Sequence, residues 1–235
     1  ILPLKVQGAA STASFTVRQK MKELVDNLDH AGFTPIIDTL YEAAKYYRGD
    51  EVLWGKQRGF DNASGHFSCN NPPHRCNSTF SNPIVRQNTR ISHPASWTGG
   101  SVSTPPGCTD TNLNDPECRE RKVTGSPEYV SPIEESCQAS YIVLLTDGLA
   151  NHNDSRSLIE ADFGLTCPGI GRQACGIELA DFLATTDQSS LAGDQNVFTY
   201  TIGFNFSSQF LADLAHAGGG EFFTADNSSQ LADAF

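Results

Sequence analysis

The longest apolar run in the chain, Tyr141 to Leu145 (YIVLL), ends in Thr146, Asp147 and Gly148. In open parallel sheets, ligands bind just beyond the carboxyl ends of the strands. A carboxylate at such an end, with glycine permitting a tight turn, can hold a hard cation directly or through water. The same residues also form an ordinary turn, so Asp147 alone does not decide between the two readings.

Other clusters offer ligand chemistry. His66, Cys69, His74 and Cys76 crowd into a short stretch and supply zinc-ligand types. Their spacing fits neither paired Cys-x-x-Cys knuckles nor a zinc finger, and the competing reading is a disulfide with incidental histidines. Asp110 to Asp115 (DTNLND) is similar to the opening of an EF-hand calcium loop, yet lacks glycine at the sixth place. A polar turn between Cys108 and Cys118 is the alternative there. Asn151, Asn153 and Asp154 are either calcium ligands or caps for the next segment. Catalytic signatures are lacking: there is no Gly-x-Ser-x-Gly elbow, Walker loop or His-Glu-x-x-His. Gly169 and Gly171 follow a loop and not a strand, against a dinucleotide fingerprint.

The chain has 235 residues, 38% of them hydrophobic, enough for one sizeable core. Its net charge of −11 argues against a nucleic-acid surface, which needs clustered Lys and Arg. No apolar run approaches the ~20 residues of a membrane span. The N-terminus lacks the features of a signal peptide, so the chain reads as a mature segment or a piece of something longer. Cys69 and Cys76, Cys108 and Cys118, and Cys167 and Cys175 are each close in sequence, as local staples in an oxidising compartment are; connectivity stays open, and Cys137 is left over. Five Asn-x-Ser/Thr sequons (Asn62, Asn77, Asn153, Asn205 and Asn227) carry meaning only in a eukaryotic secretory pathway.

Elements that position these residues follow from periodicity. Leu2–Val6 reads as a short strand. Val17, Met21, Leu24, Val25 and Leu28 give one buried helical face, stopped by Gly32. Thr34 and Pro35 open a second helix, as cap and first helical residue, which ends at Gly49. Residues 50–136 show no sustained period. Nine of the twelve prolines and five of the seven cysteines lie between Asp50 and Cys137, which marks 50–136 as a disulfide-stapled insertion. Trp54, Phe60, Phe67, Phe80 and Trp97 are its candidate anchors. From Tyr141 the order is strand, helix, strand, helix, strand, helix: Tyr141–Leu145 as a strand buried on both faces, a polar loop, a helix over Gly176–Thr186, a strand over Val197–Ile202, a helix over Ser208–Ala217, a strand over Glu221–Thr224, and a last helix over Asn227–Phe235. That alternation predicts an α/β fold with a parallel sheet.

Leu144 to Gly148 (LLTDG) resembles the third metal motif of von Willebrand factor type A domains, and Gly32 to Ile36 (GFTPI) the loop whose threonine supplies their second. Leu40 to Gly49, Cys167 to Gly176, Thr199 to Phe204, and Gly219 to Ala225 followed by Ser229-Gln230-Leu231 extend the likeness to the type A domain of the PilC/PilY pilus-tip adhesins. The resemblance implies a doubly wound, mostly parallel, Rossmann-like sheet and a non-catalytic adhesion module. It implies a divalent cation, Mg²⁺ or else Mn²⁺ or Ca²⁺, with Thr34 as hydroxyl ligand and Asp147 as the carboxylate behind a water. Pilus subunits and host or surface proteins are the implied partners, at a pilus tip reached through the periplasm, with a calcium-binding propeller downstream. One motif departs from the family. Asp-x-Ser-x-Ser is missing, for Ser11 to Ser14 has no leading Asp and Asp61 to Ser64 has the wrong spacing. The expectation is that the first strand and the rest of the cation site lie upstream of Ile1; a divergent domain that has lost metal binding is the alternative. Another extracellular type A matrix or receptor module, and a secreted hydrolase on a similar sheet, are the competing functions.

Overall fold

The computed structural model describes residues 34–56, 69–71, 75–76, 91–103 and 122–233. They fall into two compact units, one holding 54–56, 69–71, 75–76, 91–94, 99–103 and 122–127, the other 34–53, 95–98 and 128–233. The expected strand at Leu2–Val6, the helix ending at Gly32, the DTNLND stretch, His66, His74, Cys108 and Cys118 lie outside the described residues, as do Phe60, Phe67 and Phe80.

In the first unit, β1 (Cys69–Asn71) pairs antiparallel with β2 (Arg75–Cys76), and the register sets Cys69 opposite Cys76. β3 (Trp97–Ser103) and β4 (Lys122–Tyr129), of which 99–103 and 122–127 belong to this unit, form a further two-stranded sheet. Gly99 and Gly125 take φ of +74° and +87°, and a Cβ on Gly99 would meet the Ser126 carbonyl oxygen at 2.6 Å. Only glycine fits that backbone approach. The 50–136 stretch therefore contains short ladders, although it shows no sequence period. Trp97 is buried and Trp54 is 40% exposed.

The second unit is α/β. α1 (Ile36–Arg48) buries Ile36, Ile37, Leu40, Tyr41 and Ala44 on one face. Asp38 stands in its first turn and Lys45 and Arg48 in its last, matching the helix dipole. Gly49 closes it at φ +72°, its N–H returning to the last carbonyls. Pro35 occupies the cap position and no side chain caps the first turn. Thr34 is thus not the helix cap that its place before Pro35 suggests.

β5 (Ser140–Thr146), β6 (Val197–Phe204) and β7 (Gly219–Ala225) form a three-stranded parallel sheet in the order β5-β6-β7. The register runs from Ser140 opposite Val197 to Thr146 opposite Gly203. Parallel strands need crossovers. α2 (Arg156–Phe163) and α3 (Gly176–Thr185) lie between β5 and β6, and α4 (Gln209–Ala217) lies between β6 and β7. α5 (Ser228–Asp233) follows β7. Leu40, Leu144, Ile159, Leu179, Leu183, Val197, Leu211 and Leu214 share one core, each fully buried side chain contributing about 1.5–3 kcal/mol.

The polar loop over 149–155 holds no helix, and α2, which the sequence reading did not assign, follows it: Ile159 is buried, and Phe163 stacks on Phe182 at 5.1 Å and meets Tyr41 edge-on at 5.7 Å. Gly164, at φ +65°, stops it. β5 was expected to be buried on both faces. Leu144 and Thr146 are buried against the core, but Tyr141, Val143 and Leu145 on the other face are 52%, 46% and 51% exposed. Helices α1, α3 and α4 pack on the Leu144 side, which explains the split. No helix among the described residues is long and apolar enough to cross a membrane.

Candidate functional site

At the carboxyl end of β5, a cleft of about 410 Å³ opens between the start of α1 and the sheet. Thr34, Pro35, Ile36 and Thr39 form one wall. Leu144, Leu145, Thr146, Asp147 and Phe204 form the other. Thr34 and Asp147, far apart in sequence, therefore line one cleft.

Local chemistry fixes each wall. The Thr146 hydroxyl donates to the Gly148 carbonyl at 3.0 Å and accepts the Gly148 N–H at 3.2 Å, locking the turn that carries Asp147. A Cβ on Gly148 would stand 3.8 Å from Thr34 Oγ1, so the threonine hydroxyl faces this turn directly. The Asp147 carboxylate is exposed. Asn151 then reaches back to α1. Its Oδ1 accepts the Thr34 N–H at 2.7 Å, its N–H donates to the Thr34 carbonyl at 3.3 Å, and its Nδ2 donates to Thr34 Oγ1 at 3.5 Å.

A second tie lies behind the first. Asp38 on α1 is buried and accepts the N–H groups of Asp154 and Ser155, each at 2.9 Å, and the Ser155 hydroxyl. Burial raises the Asp38 pKa above 3.8, with the hydrogen bonds from Ser155 and Asp154 and the charge of His152 acting against it. His152, also buried, places Nε2 3.1 Å from Asp154 Oδ2. Asn153 donates through Nδ2 to the Ala174 carbonyl and accepts the Ser155 N–H on Oδ1. Asn151, Asn153 and Asp154 thus hold the loop together through hydrogen bonds to neighbouring segments. Sequence reasoning passed over Asp38. Its signal is a carboxylate one place from Ile37 in a helix that buries Ile36, Ile37, Leu40, Tyr41 and Ala44.

Cys167 and Cys175 are joined in a disulfide, with Cα atoms 4.9 Å apart, and both are buried. Glu160 accepts the Cys167 N–H, and Arg156 donates to the Cys167 carbonyl. The Glu160 carboxylate and the two sulfurs lie within 4.8 Å of one another, a group with metal-ligand chemistry. With the sulfurs bonded to each other, its role here is that of a staple at the start of α3. Cys137 is an exposed free thiol.

Compared with protein-family models, with curated proteins and with solved structures, the chain finds no match.

Proposed function

We propose that this chain is a type A adhesion domain of the pilus-tip kind, a binding module and not an enzyme, which holds a divalent cation in the cleft at the end of β5. The observation that carries the reading is the convergence of Thr34 and Asp147 on one cleft at the carboxyl end of a parallel sheet, where such sheets bind ligands. A doubly wound sheet, with helices on both faces, belongs to the same proposal. The donors fit a hard cation: a hydroxyl and a carboxylate, both oxygen, on a chain with net charge −11 that attracts cations. Thr34 and Asp147 would hold Mg²⁺, with Mn²⁺ or Ca²⁺ as alternatives, and the bound ion would supply a positive centre for a carboxylate of the partner. The Thr34 hydroxyl, which caps no helix and accepts only a long bond of 3.5 Å from Asn151 Nδ2, supports that assignment.

Pilus subunits and host or surface proteins are the proposed partners, met outside the cell. Attachment of the natural protein to a surface ligand is expected to stop on chelation with EDTA, to return with Mg²⁺, and to be lost in Asp147→Ala. Attachment indifferent to chelation and to the Asp147 substitution contradicts the proposal.

A further inference from the structure

We infer that Asn151 is the positioning residue of the cation site, setting the Thr34 hydroxyl against the turn that carries Asp147. This inference rests on the adhesion-site reading above. Thr34 precedes α1 and has no place in the hydrogen-bond ladder of that helix, nor does its side chain cap it. Apart from the Ile36 N–H, which donates to its carbonyl at 3.0 Å, its conformation is set from outside the helix. Asn151 grips it at three atoms: amide to Oδ1 at 2.7 Å, carbonyl from the Asn151 N–H at 3.3 Å, hydroxyl from Nδ2 at 3.5 Å. The side-chain amide supplies both an acceptor and a donor, which neither Ala nor Asp does. The Nδ2 bond occupies one lone pair of Oγ1 and leaves the other for a cation, on a hydroxyl that a Cβ at Gly148 would approach to 3.8 Å. Asn151 stands four residues beyond Asp147 in the same loop. One side chain therefore couples the two proposed ligands. Groups that orient a ligand without touching the metal commonly control affinity.

The test compares Asn151→Ala with Asn153→Ala in the natural protein. Asn153 holds the same loop through Ala174 and Ser155, so its loss mimics the structural cost without touching Thr34. Mn²⁺ binding, followed by the loss of the free-ion electron paramagnetic resonance signal, is expected to weaken about tenfold or more in Asn151→Ala. Asn153→Ala is expected to bind as the wild type does, at a similar loss of thermal stability. Equal binding by the wild type and Asn151→Ala, or equal weakening in both variants, overturns the inference and leaves the adhesion-site reading standing. A wild type that takes up no Mn²⁺ overturns that reading and this inference with it.

Discussion

The carboxylate of Asp38 accepts the backbone N–H of Ser155 at 2.9 Å across 117 residues of sequence, inside a buried pocket behind the cleft. The Asp154 N–H joins it at 2.9 Å. This pair ties α1 to the loop beyond β5, and so fixes the distance between the walls that carry Thr34 and Asp147.

Asp38→Ala removes the carboxylate acceptor of the Asp154 N–H and the Ser155 hydroxyl and leaves the Ser155 N–H its bond to Asn153, and is expected to cost about 2 kcal/mol. Asp38→Asn keeps an acceptor oxygen and should cost less. Urea unfolding of the three proteins measures both differences. A loss under 0.5 kcal/mol on Asp38→Ala, about the scatter of ordinary surface substitutions, contradicts the role given to this carboxylate.

The same residue sets a pH signature. Because burial raises its folded pKa above 3.8, the native state holds the proton more tightly than the unfolded chain does. Its contribution to stability is fully present below pH 3.8 and is lost as pH rises through the folded value. The stability of the wild type relative to Asp38→Asn should accordingly fall as pH rises above 3.8. Unfolding curves across that range check the sign, and a relative stability that rises with pH contradicts it.

Much of the sheet was legible in the chain because its signals are local. The apolar run at Tyr141–Leu145, Gly203 near the end of β6 and Gly218 after α4 located β5, β6, α4 and β7 within a residue or two. The Cys167–Cys175 bond was legible from proximity. α2 was not, since eight residues make only two turns and its one fully buried side chain, Ile159, gives no period. The clamp of Asn151 on Thr34 and of Asp38 on Ser155 was illegible for a different reason. Those contacts join segments 117 residues apart and leave no local pattern. Thr34 before Pro35 reads as a cap by local rules, and tertiary contact overrides them.

The Cys167–Cys175 staple closes a loop with a sequence separation of 8. Replacing both cysteines by serine is expected to lower stability by roughly 2–3 kcal/mol, through the freedom returned to the unfolded chain. Calorimetry of the double variant measures it. Unchanged stability would show that the Arg156 and Glu160 contacts hold the loop alone.

Gly203 sits opposite Thr146 in the sheet, beside the cleft. A Cβ there would come within 2.0 Å of the Phe206 carbonyl oxygen, a backbone atom with little room to retreat. Gly203→Ala is expected to cost about 2–3 kcal/mol and to displace Phe204 from the cleft wall. Thermal unfolding checks the first effect and the quenching of a dye bound in the cleft the second. A variant as stable as wild type contradicts the packing described.

The most direct measurement is a Mn²⁺ titration of the natural protein and of Thr34→Ala and Asp147→Ala, read by electron paramagnetic resonance alongside thermal unfolding. One ion bound by the wild type, with binding lost in each variant while both unfold at the wild-type temperature, is the expected result. Undiminished Mn²⁺ binding in both variants contradicts a cation site built on Thr34 and Asp147.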